Sequence, residues 1–218
     1  PGLVRSNLAV DAQPMNLFLA PIKQVGLEFV GSSHFPEEMQ GRVIIGGYYA
    51  NVLEQHELHL EDGLYSSKLL PNIIETKNNV FRPVEVRFGP DGALYVADWY
   101  NPIIGHYQAS YRHPDRDKSH GRVWRVTCKD RPLVRPAALA NASVADLLEQ
   151  VDSTERWTKY QAKRLLFERD TTEVVAALDQ WVAKNSGNEY RRLQALSLYE
   201  AHEAPRPELL KALLRSKD

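Results

Sequence analysis

Hydrophobic positions along the chain follow two different periods. Before about residue 136, short apolar runs recur between turn residues: VGLEFVG (25–31), RVIIGGYY (42–49), NVLEQHEL (51–58), GLYSSKLL (63–70), PVEVRFG (83–89), ALYVAD (93–98) and GRVWRVT (121–127). Their spacing and their β-branched and aromatic content predict strands in an antiparallel meander. Two connections carry Asp-Gly, at Asp62-Gly63 and Asp91-Gly92, where a tight turn needs positive φ. The second predicts a hairpin over residues 83–98.

Beyond Pro136 the apolar period lengthens to about 3.6. Helices are predicted over 143–151, 153–170, 171–185, 188–203 and 207–218. Ser143 is placed to cap the first, with Asp146 in its opening turn. Gly187 is a fitting stop for the third, and Pro207 suits the start of the last. Aligning Ala162 with Ala195 also matches Trp157 with Tyr190, Tyr160 with Leu193, Gln161 with Gln194 and Leu165 with Leu198. Short amphipathic helices in pairs with such a repeat suggest an α-solenoid; an ordinary helical bundle is the alternative. Two domains are expected, 1–136 and 137–218.

Strand alternation has a consequence for residues 98–120. If 83–89 and 93–98 form a hairpin and 121–127 follows, Arg82 and the segment 98–120 lie on one rim of the sheet, with the Asp-Gly turn on the other. A loop of that length inside a compact domain calls for a function. It holds His106, His113 and His120, the acids Asp98, Asp115 and Asp117, and the bases Arg112, Arg116 and Lys118. These residue types serve as general bases, metal ligands and anion clamps. Their spacing matches no tight metal motif, and the Asp-x-Asp at 115–117 lacks the remaining ligands of an EF-hand. Taken singly, each histidine reads first as a hydrogen-bonded loop residue. Asp98 suits a cap on the loop's backbone amides as well as it suits chemistry, and Trp99, Tyr100 and Tyr107 suit wedges that fasten the loop.

Composition narrows the classes. The 218 residues are 43% hydrophobic with a net charge of −1, ordinary for a globular chain and without the electrostatic pull of a nucleic-acid binder. No apolar run is long enough to span a bilayer. The first residue is Pro1 and no signal peptide is visible, which points to a mature product or a piece of a longer protein. Cys128 is the single cysteine, so no internal disulfide, multi-cysteine metal site or C-x-x-C-H haem attachment is available. G-x-S-x-G is lacking as well, which leaves little for nucleophilic hydrolysis.

The segment Phe81–Thr127, with its run Asp98-Trp99-Tyr100-Asn101-Pro102, then Gly105-His106, His120-Gly121-Arg122 and Trp124-Arg125, resembles the closing part of the β-propeller in a family of large secreted proteins of planctomycetes and verrucomicrobia. These are membrane-bound dehydrogenases, or haem-binding proteins, with a propeller, HEAT-like repeats and a C-terminal cytochrome c domain. RWTKYQAKRLLFERD and YRRLQALSLYEA are similar to that family's HEAT-like segment. The resemblance implies partial propeller blades, similar to glucose and sorbosone dehydrogenases, followed by a HEAT-like solenoid. It implies a redox-associated role toward a sugar or alcohol in a periplasmic, secreted or cell-envelope setting, with a cytochrome domain or another protein as partner. On that reading His106 or His120 would be the catalytic base, Arg82, Arg116, Trp99 and Asn101 would contact a cofactor, and Asp98 would be a metal ligand. Calcium and a PQQ-like quinone would belong to the full-length protein and haem c to a missing domain, none being assured in this chain. The chain alone is expected to be inactive, because half a propeller closes no central site. The alternative is a non-catalytic carbohydrate- or protein-binding scaffold, in which Trp99, Tyr100, Tyr107 and Tyr111 stack on a ligand.

Overall fold

The computed structural model describes residues 24–104 and 112–216, so His106, Tyr107 and Tyr111 lie outside the described residues. The chain divides into two compact units, Pro1–Leu133 and Val134–Asp218.

In the first unit, β1 (Gln24–Phe29), β2 (Val43–Gly47), β3 (Val52–Glu61) and β4 (Leu64–Glu75) form a four-stranded sheet in chain order. β5 (Pro83–Phe88), β6 (Leu94–Asp98) and β7 (Arg122–Val126) form a three-stranded one. All pairings are antiparallel. The predicted 83–98 hairpin is present: Phe88 faces Leu94, Gly92 has φ +76, and the Gly92 N–H donates to the Gly89 carbonyl. β3 and β4 run longer than predicted. Pro71 is accommodated in β4 because that strand is a sheet edge, where its missing N–H breaks no ladder.

The expected partial β-propeller blades are not supported. A propeller sets four-stranded blades radially around a channel; here one sheet of four strands and one of three pack face to face through β1, β2 and β5, and no ring is closed among the described residues. The run-and-turn pattern predicts any antiparallel meander, and what covers each sheet is decided by contacts distant in sequence. Here Ile44 and Leu53 of one sheet share a buried core with Val86, Phe88, Leu94 and Val96 of the other. Two glycines permit the close approach. A Cβ on Gly26, at a bulge in β1 with φ +66, would stand 2.8 Å from the Glu85 Cα, and one on Gly46 would stand 3.0 Å from the Pro83 carbonyl oxygen.

The second unit contains α1 (Val144–Glu149), α2 (Arg156–Phe167), α3 (Thr171–Lys184), α4 (Glu189–Ala201) and α5 (Pro207–Leu213). Ser143 caps α1 in a reciprocal capping box with Asp146, while Asp170 and Asn188 cap α3 and α4. α3 ends at Lys184 with Asn185 as its cap, two residues before Gly187. α1 packs on α2 and α3, α2 on α4, α3 on α4, and α4 on α5. The aligned alanines of the repeat, Ala162 and Ala195, are both fully buried, beside Leu147, Leu166, Leu178 and Leu198. No helix among the described residues is long and apolar enough to cross a membrane.

Candidate functional site

The rim where β6 ends is organised by short polar side chains that satisfy backbone groups. Asp98 Oδ1 accepts from the Tyr100 N–H (2.9 Å) and the Arg82 N–H (2.8 Å). Asn101 Oδ1 accepts from the Ile103 N–H, and Asp117 Oδ1 from the N–H groups of Ser119 and His120. These are Asx turns, which explains why Asp and Asn are dense where a strand gives way to a loop. Tyr100 is held at φ 53, an uncommon conformation for a bulky side chain, by that bond to Asp98.

Asp98 is the hub. Its carboxylate has no exposed surface; Oδ2 accepts from Arg122 Nε and Trp124 Nε1, each at 2.9 Å. Arg122 Nη2 also lies 2.9 Å from Oδ2, as an ion-pair contact whose hydrogens do not point at the oxygen. The Arg122 guanidinium lies 4.2 Å from the Tyr100 ring centroid and 5.0 Å from that of Trp124, cation–π geometry that fixes it further. Arg82 is buried, donating from Nε to the Asn101 carbonyl and from Nη1 to that of Tyr48. Burial pushes its guanidinium below the ordinary value, and the charges of Tyr48 and Asp98 oppose that. Burial likewise raises the Tyr48 phenol, against the pull of Arg82.

This geometry tests the roles that the resemblance assigns. Asp98 gives both oxygens to N–H donors and to the cation Arg122, a donor set that does not fit a calcium ligand, and no cluster of three or more His, Cys, Asp or Glu suited to a metal occurs among the described residues. Arg82 and Asn101 are buried and engaged within the protein, and Arg116 Nη1 donates to the Ile103 carbonyl. Two residues face outward. Trp99 is 42% exposed and stacks on Tyr48, with centroids 6.0 Å apart and planes inclined by 15°. His120 is exposed, its Nδ1 2.7 Å from Asp117 Oδ2. That contact has Nδ1–H donating to the carboxylate, so that in the neutral ring Nε2 is the acceptor. The amide of Ser119 foremost, with the N–H groups of His120, draws the Asp117 carboxyl down to about 2.

A groove of about 500 Å³ brings Trp99, His120 and Arg122 together over Ala97, Asp98 and Val123. A second, of about 510 Å³, is lined by Tyr100, Pro102, Arg116, Asp117 and Lys118. Sequence reasoning brought Arg82, Asp98, Asn101 and His120 to one rim, and they are there. It missed Tyr48, Arg122 and Trp124 as parts of the site. Tyr48 follows a strand of the other sheet, so no local pattern ties it to Trp99. The orienting role of Asp117 was within reach, since it stands three residues before His120.

Residues 23–130 match the family model described as Domain of unknown function (DUF7133), which covers the two sheets and the rim between them. No curated protein and no solved structure is significantly similar to the chain.

Proposed function

We propose that the groove beside Trp99 binds a sugar or another polyol, as the recognition surface of a redox-associated protein of the cell envelope. The observation that carries the reading is the exposed Trp99 indole, backed on one side by Tyr48, in a groove shared with His120 and Arg122. An immobilised aromatic face stacks on the C–H face of a sugar ring, while an imidazole and a guanidinium serve its hydroxyls. The redox setting and the location rest on the likeness of Phe81–Thr127 to the dehydrogenase family. The test is intrinsic tryptophan fluorescence of the chain titrated with a panel of hexoses, pentoses and polyols, repeated with Trp99→Ala. Saturable binding lost in the variant supports the reading; absence of binding across the panel sinks it.

A second reading is favoured by the Asp117–His120 contact. A carboxylate at 2.7 Å holding Nδ1–H leaves Nε2 ready to take a proton from a substrate hydroxyl. Here binding would survive His120→Gln while turnover of the full-length protein with an artificial electron acceptor would fall by about 10²–10⁴-fold.

A further inference from the structure

We infer that the outward face of α2 and α4 is a docking surface for a polypeptide segment that presents carboxylates and aliphatic side chains together. Arg156, Tyr160, Arg164 and Phe167 recur along one side of α2 at helical spacing, and α4 adds Tyr190 and Leu193. Tyr160 is 63% exposed and Leu193 52%, and the two occupy equivalent positions of the internal repeat. Phe167 on α2 and Tyr190 on α4 are exposed as well, and the Lys159–Tyr190 contact joins the two helices on this side. A stripe of large apolar side chains crossing two packed helices marks an interaction site more than a solvated surface.

The charges say what fits it. Lys159 Nζ donates to the Tyr190 hydroxyl at 2.9 Å, a neutral partner, and lies 5.2 Å from that ring. Lys163, half-buried one turn on, forms no ion pair among the described residues. Burial first, and the neighbouring Lys159 second, push its amine below the ordinary value. Two like charges at i, i+4 repel, and an arriving carboxylate offsets that repulsion and gives Lys163 the counter-charge that compensates its burial. Other cations of the unit have acids, Arg164 of the same face with Glu168, Arg191 with Glu149 and Asp152, and Arg206 with Asp179, so that Lys159 and Lys163 are the ones an arriving acid would meet. The complement of this face is acidic and apolar at once, the character of an amphipathic segment laid along a helix pair. Rings and leucine outnumber the free cations here, which favours a polypeptide over a phosphate backbone.

This inference is independent of the sugar-binding reading. Its test uses the whole chain and a fluorescein-labelled synthetic peptide with leucine and phenylalanine at i, i+3, i+4 and i+7 and glutamate elsewhere, followed by anisotropy at low and high salt. The glutamate peptide should bind, more weakly as salt rises, and its lysine counterpart should not. Lys159→Glu with Lys163→Glu should weaken the glutamate peptide roughly tenfold or more and let the lysine peptide bind, a reversal that misfolding cannot produce. Tyr160→Ala should weaken binding without reversing it. Failure to bind, equal binding of the two peptides, or indifference to the double variant overturns the proposal. So does tighter binding of RNA or phosphatidylserine vesicles, or self-association of the chain abolished by the double variant.

Discussion

Charged side chains are used in opposite ways at the rim of the sheet unit and on the α2/α4 face. At the rim, Asp98, Arg82 and Asn101 are buried, and each has its polar atoms matched by donors or acceptors of the same unit. On the helices, Lys159 and Lys163 sit beside exposed rings with no carboxylate to meet them. The difference teaches where to look for function. A buried polar group must be satisfied for the fold to form at all, so a dense polar cluster is first a structural device. Groups left without a partner at a surface are the ones available to something else. By that criterion Asp98 belongs to the architecture, and the groups to test are Lys163, the outer face of Trp99 and the His120 nitrogen that Asp117 does not hold.

The comparison breaks most readily at Asp98. Asp98→Ala leaves the partly buried Arg122 guanidinium without its counter-charge and the Arg82 and Tyr100 N–H groups without their acceptor, and should cost about 3–5 kcal/mol in urea unfolding. A loss below about 1 kcal/mol would show that the hub is not structural and would reopen it to chemistry. Gly26→Ala comes next, because a Cβ there meets the β5 backbone and φ is positive; a loss of about 2 kcal/mol is expected. Wild-type stability in that variant would show that the two sheets do not meet as described.

Lys163→Met sharpens the other side. Removing a half-buried cation that has no acid partner should change stability by no more than about 0.5 kcal/mol. A clear loss would reveal a partner and end its role as a free group. The smallest effect is at Asp117. Its carboxyl is held below the ordinary value of 3.8, at about 2, so whatever it contributes to the loop is fully present above the unfolded value and lost as pH falls through about 2. Carboxyl carbon NMR should show its midpoint near 2; a midpoint near 3.8 would mean that the Asx turn and the His120 contact are not populated in solution.

Much of the fold was legible locally. The Asp91-Gly92 turn, the Ser143 cap and the change of period after residue 136 act over a few residues, and the strands and helices follow them. The propeller was not correctly read, because a meander in a blade and a meander in a stacked pair of sheets share one sequence pattern. The site was half legible. His120 and Trp99 stood out as residue types, but an irregular loop fixes no geometry. The partners that decide each role, Tyr48 for Trp99, and Arg122 with Trp124 for Asp98, come from other strands.

By itself, the sequence determined which segments become strands and helices, because turn chemistry, caps and hydrophobic period act between near neighbours. It also determined that a polar, aromatic segment follows β6. Only the tertiary structure decided that two sheets pack through Gly26 and Gly46 without closing a ring, that Asp98 is consumed as a hydrogen-bond hub, and that Lys163 is left with no acid to meet. Those outcomes depend on which distant groups are brought within about 3 Å, and burial then sets what each is free to do.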